Sequence, residues 1–232
     1  MKHFPYTFTW VILHLAVAFM VPLRADEGPK PDHGKVPGTI VAYSPAASGI
    51  YIGSPGIVIL PDGAYLAKHD EFGPKSTERT NAVTHVYRSA DRGQSWEHIA
   101  RVEDAFWVNI FHHQGAVYMM GSSAGHRHGY CIIRKSNDGG RTWTEAKDEN
   151  TGLLFSNLSY HTAPMPMVVH DGRIWRAMED EQGGNRWGQW FRAFVMSAPV
   201  DADLLKASSW TASNRVARDA SWLDGRFNGW LE

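Results

Sequence analysis

Three short segments of this 232-residue chain concentrate side chains able to move protons or bind metals: His112-His113, His126-Arg127-His128 followed by Cys131, and Glu179-Asp180-Glu181. Imidazole titrates near neutrality, so His113 has the functional group of an acid or base, although a histidine in a hairpin also commonly just satisfies backbone groups. The carboxylate run offers a hydrolase acid or merely solvates a loop. A metal centre at His126, His128 and Cys131 lacks a fourth ligand, so a loop histidine pair is expected, with no metal and no cofactor. The chain carries 10 Trp, 8 Tyr, 10 Phe and 12 His, and aromatic faces with polar edges are what sugar rings stack on. The same residues also fill β-rich cores. With 23 Lys plus Arg against 24 Asp plus Glu the net charge is −1, which leaves no basic field for a nucleic-acid backbone. Cys131 is the single cysteine and can form no internal disulfide.

The elements that must position these groups repeat along the chain. Ser89-Ala90-Asp91-Arg92-Gly93-Gln94-Ser95-Trp96 and Ser136-Asn137-Asp138-Gly139-Gly140-Arg141-Thr142-Trp143 share the pattern Ser-x-Asp-x-Gly-x-x-Trp and stand 47 residues apart. Each follows a strand-like run. In such a turn Ser and Asp bond backbone amides, Gly takes positive φ, and Trp folds back over the hairpin. A second repeat places turn glycines at Gly63, Gly115 and Gly172 inside apolar hairpins, 52 and 57 residues apart. An inner hairpin followed by an outer one makes a four-stranded unit of about 40–50 residues, which is the period of a β-propeller. The third unit keeps Ser197 and Trp210 but inserts a short helical stretch in its outer turn. The expectation is an all-β propeller of four-stranded antiparallel blades, preceded by a strand at 39–43. It forms an open ring of about three to four blades.

On these residues the chain resembles the Asp-box sialidase superfamily of six- or seven-bladed propellers, in which the octapeptides are rim structures. Sialidases carry a Phe-Arg-Ile-Pro segment on the first blade. The corresponding stretch here, Tyr51-Ile52-Gly53-Ser54-Pro55-Gly56, has no arginine, and Asn81 stands near the place of the acid/base aspartate. Gly53-Ser54-Pro55, Lys68-His69-Asp70-Glu71-Phe72-Gly73, Phe111-His112-His113-Gln114-Gly115 and Tyr160-His161-Thr162-Ala163-Pro164 are similar to segments of propeller polysaccharide lyases acting on ulvan and rhamnosyl-glucuronate.

That resemblance implies an enzyme cleaving uronate-containing polysaccharide by β-elimination, with His113, Tyr160 and Arg176 as its catalytic group. Arg176 would neutralise the uronate carboxylate, while His113 and Tyr160 exchange protons. His69, His112, His161 and Arg173 are the expected substrate contacts. Tyr160 equally reads as a core aromatic, and either Arg173 or Arg176 faces the polar side of its strand. The alternatives are a sialidase-like hydrolase, pairing Tyr160 with Glu179, and a non-catalytic glycan-binding or assembly propeller. The partner expected in every case is a glycan.

Residues 1–25 read as a signal peptide: a basic start, an apolar stretch at 10–21 too short to span a bilayer, and small Ala25. Residues 26–38 read as a linker and 39–232 as the propeller domain, exported to the periplasm or medium and free of the membrane after cleavage. The apolar Phe227-Asn228-Gly229-Trp230-Leu231-Glu232 end carries no polar cap, so an incomplete and inactive piece of a larger ring is expected.

Overall fold

The computed structural model describes residues 32–35, 37–182, 191–217, 219 and 221. The expected signal peptide, most of the linker and Trp230-Leu231 lie outside them. No helix among the described residues is long and apolar enough to cross a membrane.

Three antiparallel sheets follow one another along the chain. Blade 1 holds β1 (Tyr51–Ile59), β2 (Tyr65–Phe72), β3 (Val83–Ser89) and β4 (Glu97–Glu103) in that spatial order. Blade 2 repeats it with β5 (Phe106–His113), β6 (Ala116–Ser122), β7 (Cys131–Ser136) and β8 (Leu153–Phe155). In blade 3 the inner position is shared by β9 (Ser159–His161) and β10 (Val168–His170), which pair opposite ends of β11 (Arg173–Glu181). Pro164 and Pro166 fall in the interruption, where proline removes ladder donors. The outer position is shared by β13 (Thr211–Ala212) and β14 (Val216–Ala217), both paired with β12 (Phe191–Pro199). The result is a β-propeller architecture that, among the described residues, holds three blades in an open ring. Residues 39–43 form no strand, in contrast to the sequence expectation.

Period-two alternation loads both faces of blade 2. Val108, Ile110, Val117 and Met119 meet Leu66 and Val86 of blade 1, whereas Tyr118, Met120, Cys131 and Ile133 meet Ile174, Met178, Phe194 and Met196 of blade 3. Each fully buried aliphatic side chain contributes about 1.5–3 kcal/mol. Ile57 and Ile59, at 60% and 59% exposure, flank Val58 on the opposite side of β1.

The glycines of the serine-aspartate turns take positive φ as expected, 87° at Gly93 and 94° at Gly140, and the inner-hairpin glycines do so too, 82° at Gly63, 80° at Gly115 and 68° at Gly172. The two serine-aspartate turns share their main hydrogen bonds. Ser89 Oγ donates to Asp91 Oδ1 and Ser136 Oγ to Asp138 Oδ1, each at 2.7 Å. Gly93 N–H and Gly140 N–H return to those serines at 2.7 and 2.8 Å. The Ser95 and Thr142 hydroxyls donate to the second carboxylate oxygen at 2.6 Å. The two tryptophans fold back over their hairpins without being fully buried. Trp96 and Trp143 are half-buried, because these turns lie on the rim and only part of each ring covers its hairpin. Trp96 Nε1 donates to Thr39 Oγ1, and Trp143 Nε1 to Gly140 O.

The Thr142 hydroxyl, with the backbone amides and Ser136, holds the Asp138 carboxyl down to about 2, and the Ser95 hydroxyl similarly depresses Asp91. A carboxylate depressed in the folded state stabilises above its unfolded value of about 3.9, and that contribution is lost as pH falls through the folded value. The thermal midpoint should therefore hold steady down to about pH 4 and fall between there and about pH 2. Asp138→Asn should flatten that fall. An unchanged acid limb would show that the turn charges do not matter to stability.

Candidate functional site

Antiparallel blades have two ends. The serine-aspartate turns and the Gly63, Gly115 and Gly172 turns share one of them. The starts of β5 and β9, the end of β11 and the β6–β7 loop share the other, and this second end collects the unabsorbed polar chemistry.

Glu179 and Glu181 project from the end of β11 and are both buried. His161 Nδ1 lies 2.6 Å from Glu179 Oε2, held there because His161 pairs with Glu179 across β9 and β11. From the β6–β7 loop, His126 Nδ1 lies 2.8 Å from Glu181 Oε1 while the Arg127 N–H donates to Glu181 Oε2. Between them in sequence, Asp180 is fully buried and clamped by Arg192 Nε at 2.7 Å and Arg215 Nε at 3.1 Å. Its saturation marks it as a tie between strands. A cavity of about 280 Å³ adjoins Glu179, lined also by Thr162, Ala163, Met165, Val195 and Val216.

The base of this end is ionic. Lys68 Nζ and Asp70 Oδ1 are 3.1 Å apart, with neither side chain reached by solvent. Burial pushes the Lys68 ammonium down and the Asp70 carboxyl up, while their mutual attraction opposes both shifts. Asp70 also accepts from the Thr84 hydroxyl and from the Trp107 N–H. Trp107, at the start of β5, lies with its ring centroid 4.1 Å from that of His161.

The expected catalytic group is not brought together. His113 ends β5 beside the Gln114-Gly115 turn, where its Nε2 lies 2.7 Å from Val200 O of blade 3. Six residues of strand separate it from Trp107, a distance of about 20 Å. It ties two blades together at the serine-aspartate end, and His112, half-buried, is its strand neighbour. Tyr160 is 1% exposed among Phe155 and Phe194, and its hydroxyl donates to Asn157. The core-aromatic reading describes it. Arg173 bonds Ser197 and Thr211 near the Gly172 turn, far along β11 from Glu179. His69 lies within β2, not at its end. It stacks on His85 and Tyr87 on the side of the strand opposite Lys68 and Asp70, and burial and the His85 charge push it down to about 4. Of the expected substrate contacts, only His161 joins the carboxylates. Cys131, buried against Met196, is pushed up to about 12 by burial and is no nucleophile.

Arg176 is 1% exposed, and its Nη2 donates to Thr162 Oγ1 and Ala163 O. Among the described residues its Nε and Nη1 have no hydrogen-bond partner, and burial pushes it down to about 10. A buried, under-satisfied cation costs stability. Arg176→Met should leave the thermal midpoint unchanged or raise stability by up to about 4 kcal/mol. A clear loss of stability would mean that its two hydrogen bonds outweigh the desolvation.

A cavity of about 1130 Å³ is a groove between outer strands of blades 1 and 2 lined by Arg101, Glu103, Arg134 and Trp143. No candidate catalytic or substrate-contact residue lines it.

The sequence matches no described protein family and no curated protein. Its fold is similar to solved structures. One is an α-L-arabinofuranosidase from Lactobacillus brevis, at 13% identity and TM-score 0.56 over 74% of this chain and 58% of that one. Another is the GH93 α-L-arabinofuranosidase of Fusarium graminearum, solved with arabinobiose, at 15% identity and TM-score 0.50 over 74% of this chain and 50% of that one. A third is a xylan β-1,4-xylosidase from Bacillus halodurans, at 10% identity and TM-score 0.50 over 71% and 30%. The chain thus spans 30–58% of the length of these structures, and the likeness is one of fold.

Proposed function

We propose that this chain carries the carboxylate site of a propeller glycoside hydrolase. The observation that carries the reading is the pair Glu179 and Glu181, each oriented by its own histidine at the end of the blades away from the serine-aspartate turns. Residues two apart on a strand lie about 6.6 Å apart along it. Two carboxyls on neighbouring positions of one strand face can stand the roughly 6.5–9.5 Å apart that an inverting glycosidase leaves between acid and base for the attacking water. In this reading Glu179 protonates the leaving glycosidic oxygen, with His161 as the group that resupplies its proton. Glu181, its oxygens aimed by His126 and the Arg127 amide, takes the proton from water. The similarity of fold to arabinofuranosidases and a xylosidase is consistent with this chemistry, and the substrate class is a glycan.

Elimination from a uronate keeps one supporting observation, the spare donors of Arg176, which suit a carboxylate. The two reactions leave different products. Incubation with aryl arabinofuranosides, xylosides and sialosides, and with ulvan and arabinan, should release reducing ends without the absorbance of an unsaturated uronate. That absorbance would favour the lyase. Binding without turnover would favour a glycan-binding propeller.

A further inference from the structure

The backbone of blade 2 is distorted at one point, and the distortion sets one side chain. Trp107 has φ +49°, in the left-handed region that a bulky residue rarely enters. It sits in a bulge of β5, between the pairs Phe106–Ser122 and Asn109–Met120. The same bulge recurs in β1 between Gly53 and Gly56, where Ser54 takes φ +50°. A small residue therefore fills this slot in blade 1, and blade 2 carries the largest side chain there.

Two devices outside β5 impose the conformation. The Trp107 N–H is captured at 2.7 Å by Asp70 Oδ2, a fully buried carboxylate on blade 1. On β6, Gly121 leaves the bulge room: a Cβ there would lie 2.7 Å from Trp107 O and from Val108 Cα, and 2.9 Å from Phe106 O. The indole that results is half-buried, backed by Phe106 at 4.3 Å and edge-on to His161, which holds Glu179. Strain kept by buried ionic and steric constraints, beside a histidine-carboxylate pair, marks a positioned functional group.

We infer that Trp107 is the saccharide-stacking platform of this site, its indole taking the C–H face of the sugar ring next to the bond that Glu179 addresses. The inference rests on the hydrolase reading for the role of Glu179 and adds the residue that selects the ring. An apolar face of this kind takes neutral pentose or hexose rings, whereas a sulfate or carboxylate group on that face would be repelled by the π cloud.

The test uses the full chain carrying Glu179→Gln, so that ligand is not consumed, with its tryptophans replaced by 5-fluorotryptophan. Trp107→Phe identifies the Trp107 resonance by its disappearance from the fluorine spectrum. Titration with arabinobiose and xylobiose should move that resonance. Calorimetry should show binding weakened about tenfold or more by Trp107→Ala, and largely kept by Trp107→Phe, which retains a stacking face. Gly121→Ala, which keeps the indole but displaces the bulge, should weaken binding as Trp107→Ala does. Saccharide binding with the Trp107 resonance unmoved, or equal in Trp107→Ala, would overturn the platform and leave the hydrolase reading standing. No saccharide binding by the Glu179→Gln protein or by the unaltered chain would overturn both.

Discussion

Asp70→Ala is expected to destabilise the fold by about 3–5 kcal/mol, the usual cost of leaving one partner of a buried ion pair alone. Asp70 neutralises Lys68, accepts from the Thr84 hydroxyl and fixes the Trp107 amide, so its removal leaves a buried cation and the Trp107 amide without their partner, while the Thr84 hydroxyl keeps Ala105 O as an acceptor. The double change Lys68→Met with Asp70→Leu removes both charges and should cost less than Asp70→Ala alone, although the amide of Trp107 still loses its acceptor. Urea denaturation at neutral pH measures both. A double variant less stable than the single one would mean that Lys68 stabilises the fold even without Asp70, and that a stranded charge is not the source of the loss.

Glu179→Gln is expected to lower kcat/KM for glycoside hydrolysis by about 10²–10⁴-fold, the range for loss of a positioned acid. The amide is isosteric and still meets His161, so the thermal midpoint should stay close to that of the parent. Activity should be regained toward an activated aryl glycoside whose leaving group needs no proton, because only the acid step has been removed. An equal loss with both kinds of leaving group would instead give Glu179 a binding role.

The blades were legible from local signals. Asp91 and Asp138 with their serines and glycines, and Gly63, Gly115 and Gly172, each specify a turn within a few residues, and the structure reproduces them. The short helical turn before Trp210 was equally legible, and Ala207–Ser209 forms it. The site was less so, because its determinants lie far apart in sequence. Trp107 stands in an ordinary alternating strand, Phe106-Trp107-Val108-Asn109, and nothing nearby announces the bulge. Asp70 and Gly121, which create it, belong to other strands. His113 looked available for catalysis because its partner, Val200, lies on another blade. Tyr160 and Arg176 stand at strand positions of opposite promise, and only packing shows that both turn toward blade 2. His126 drew attention as a metal ligand through its neighbours His128 and Cys131. Its partner is Glu181, a residue in the carboxylate run whose use the sequence left open between acid and solvated loop.

The central claim is that the chemistry belongs to the Glu179 end of the blades and not to the His113 end. Kinetics of Glu179→Gln and His113→Gln, measured side by side on the best arabinofuranoside or xyloside, test it most directly. A loss of about 10²-fold or more is expected for Glu179→Gln, while His113→Gln keeps the parent kcat/KM and loses only part of its stability, as the tie to Val200 weakens. The opposite pattern, with His113→Gln inactive at unchanged stability and Glu179→Gln active, would contradict the claim.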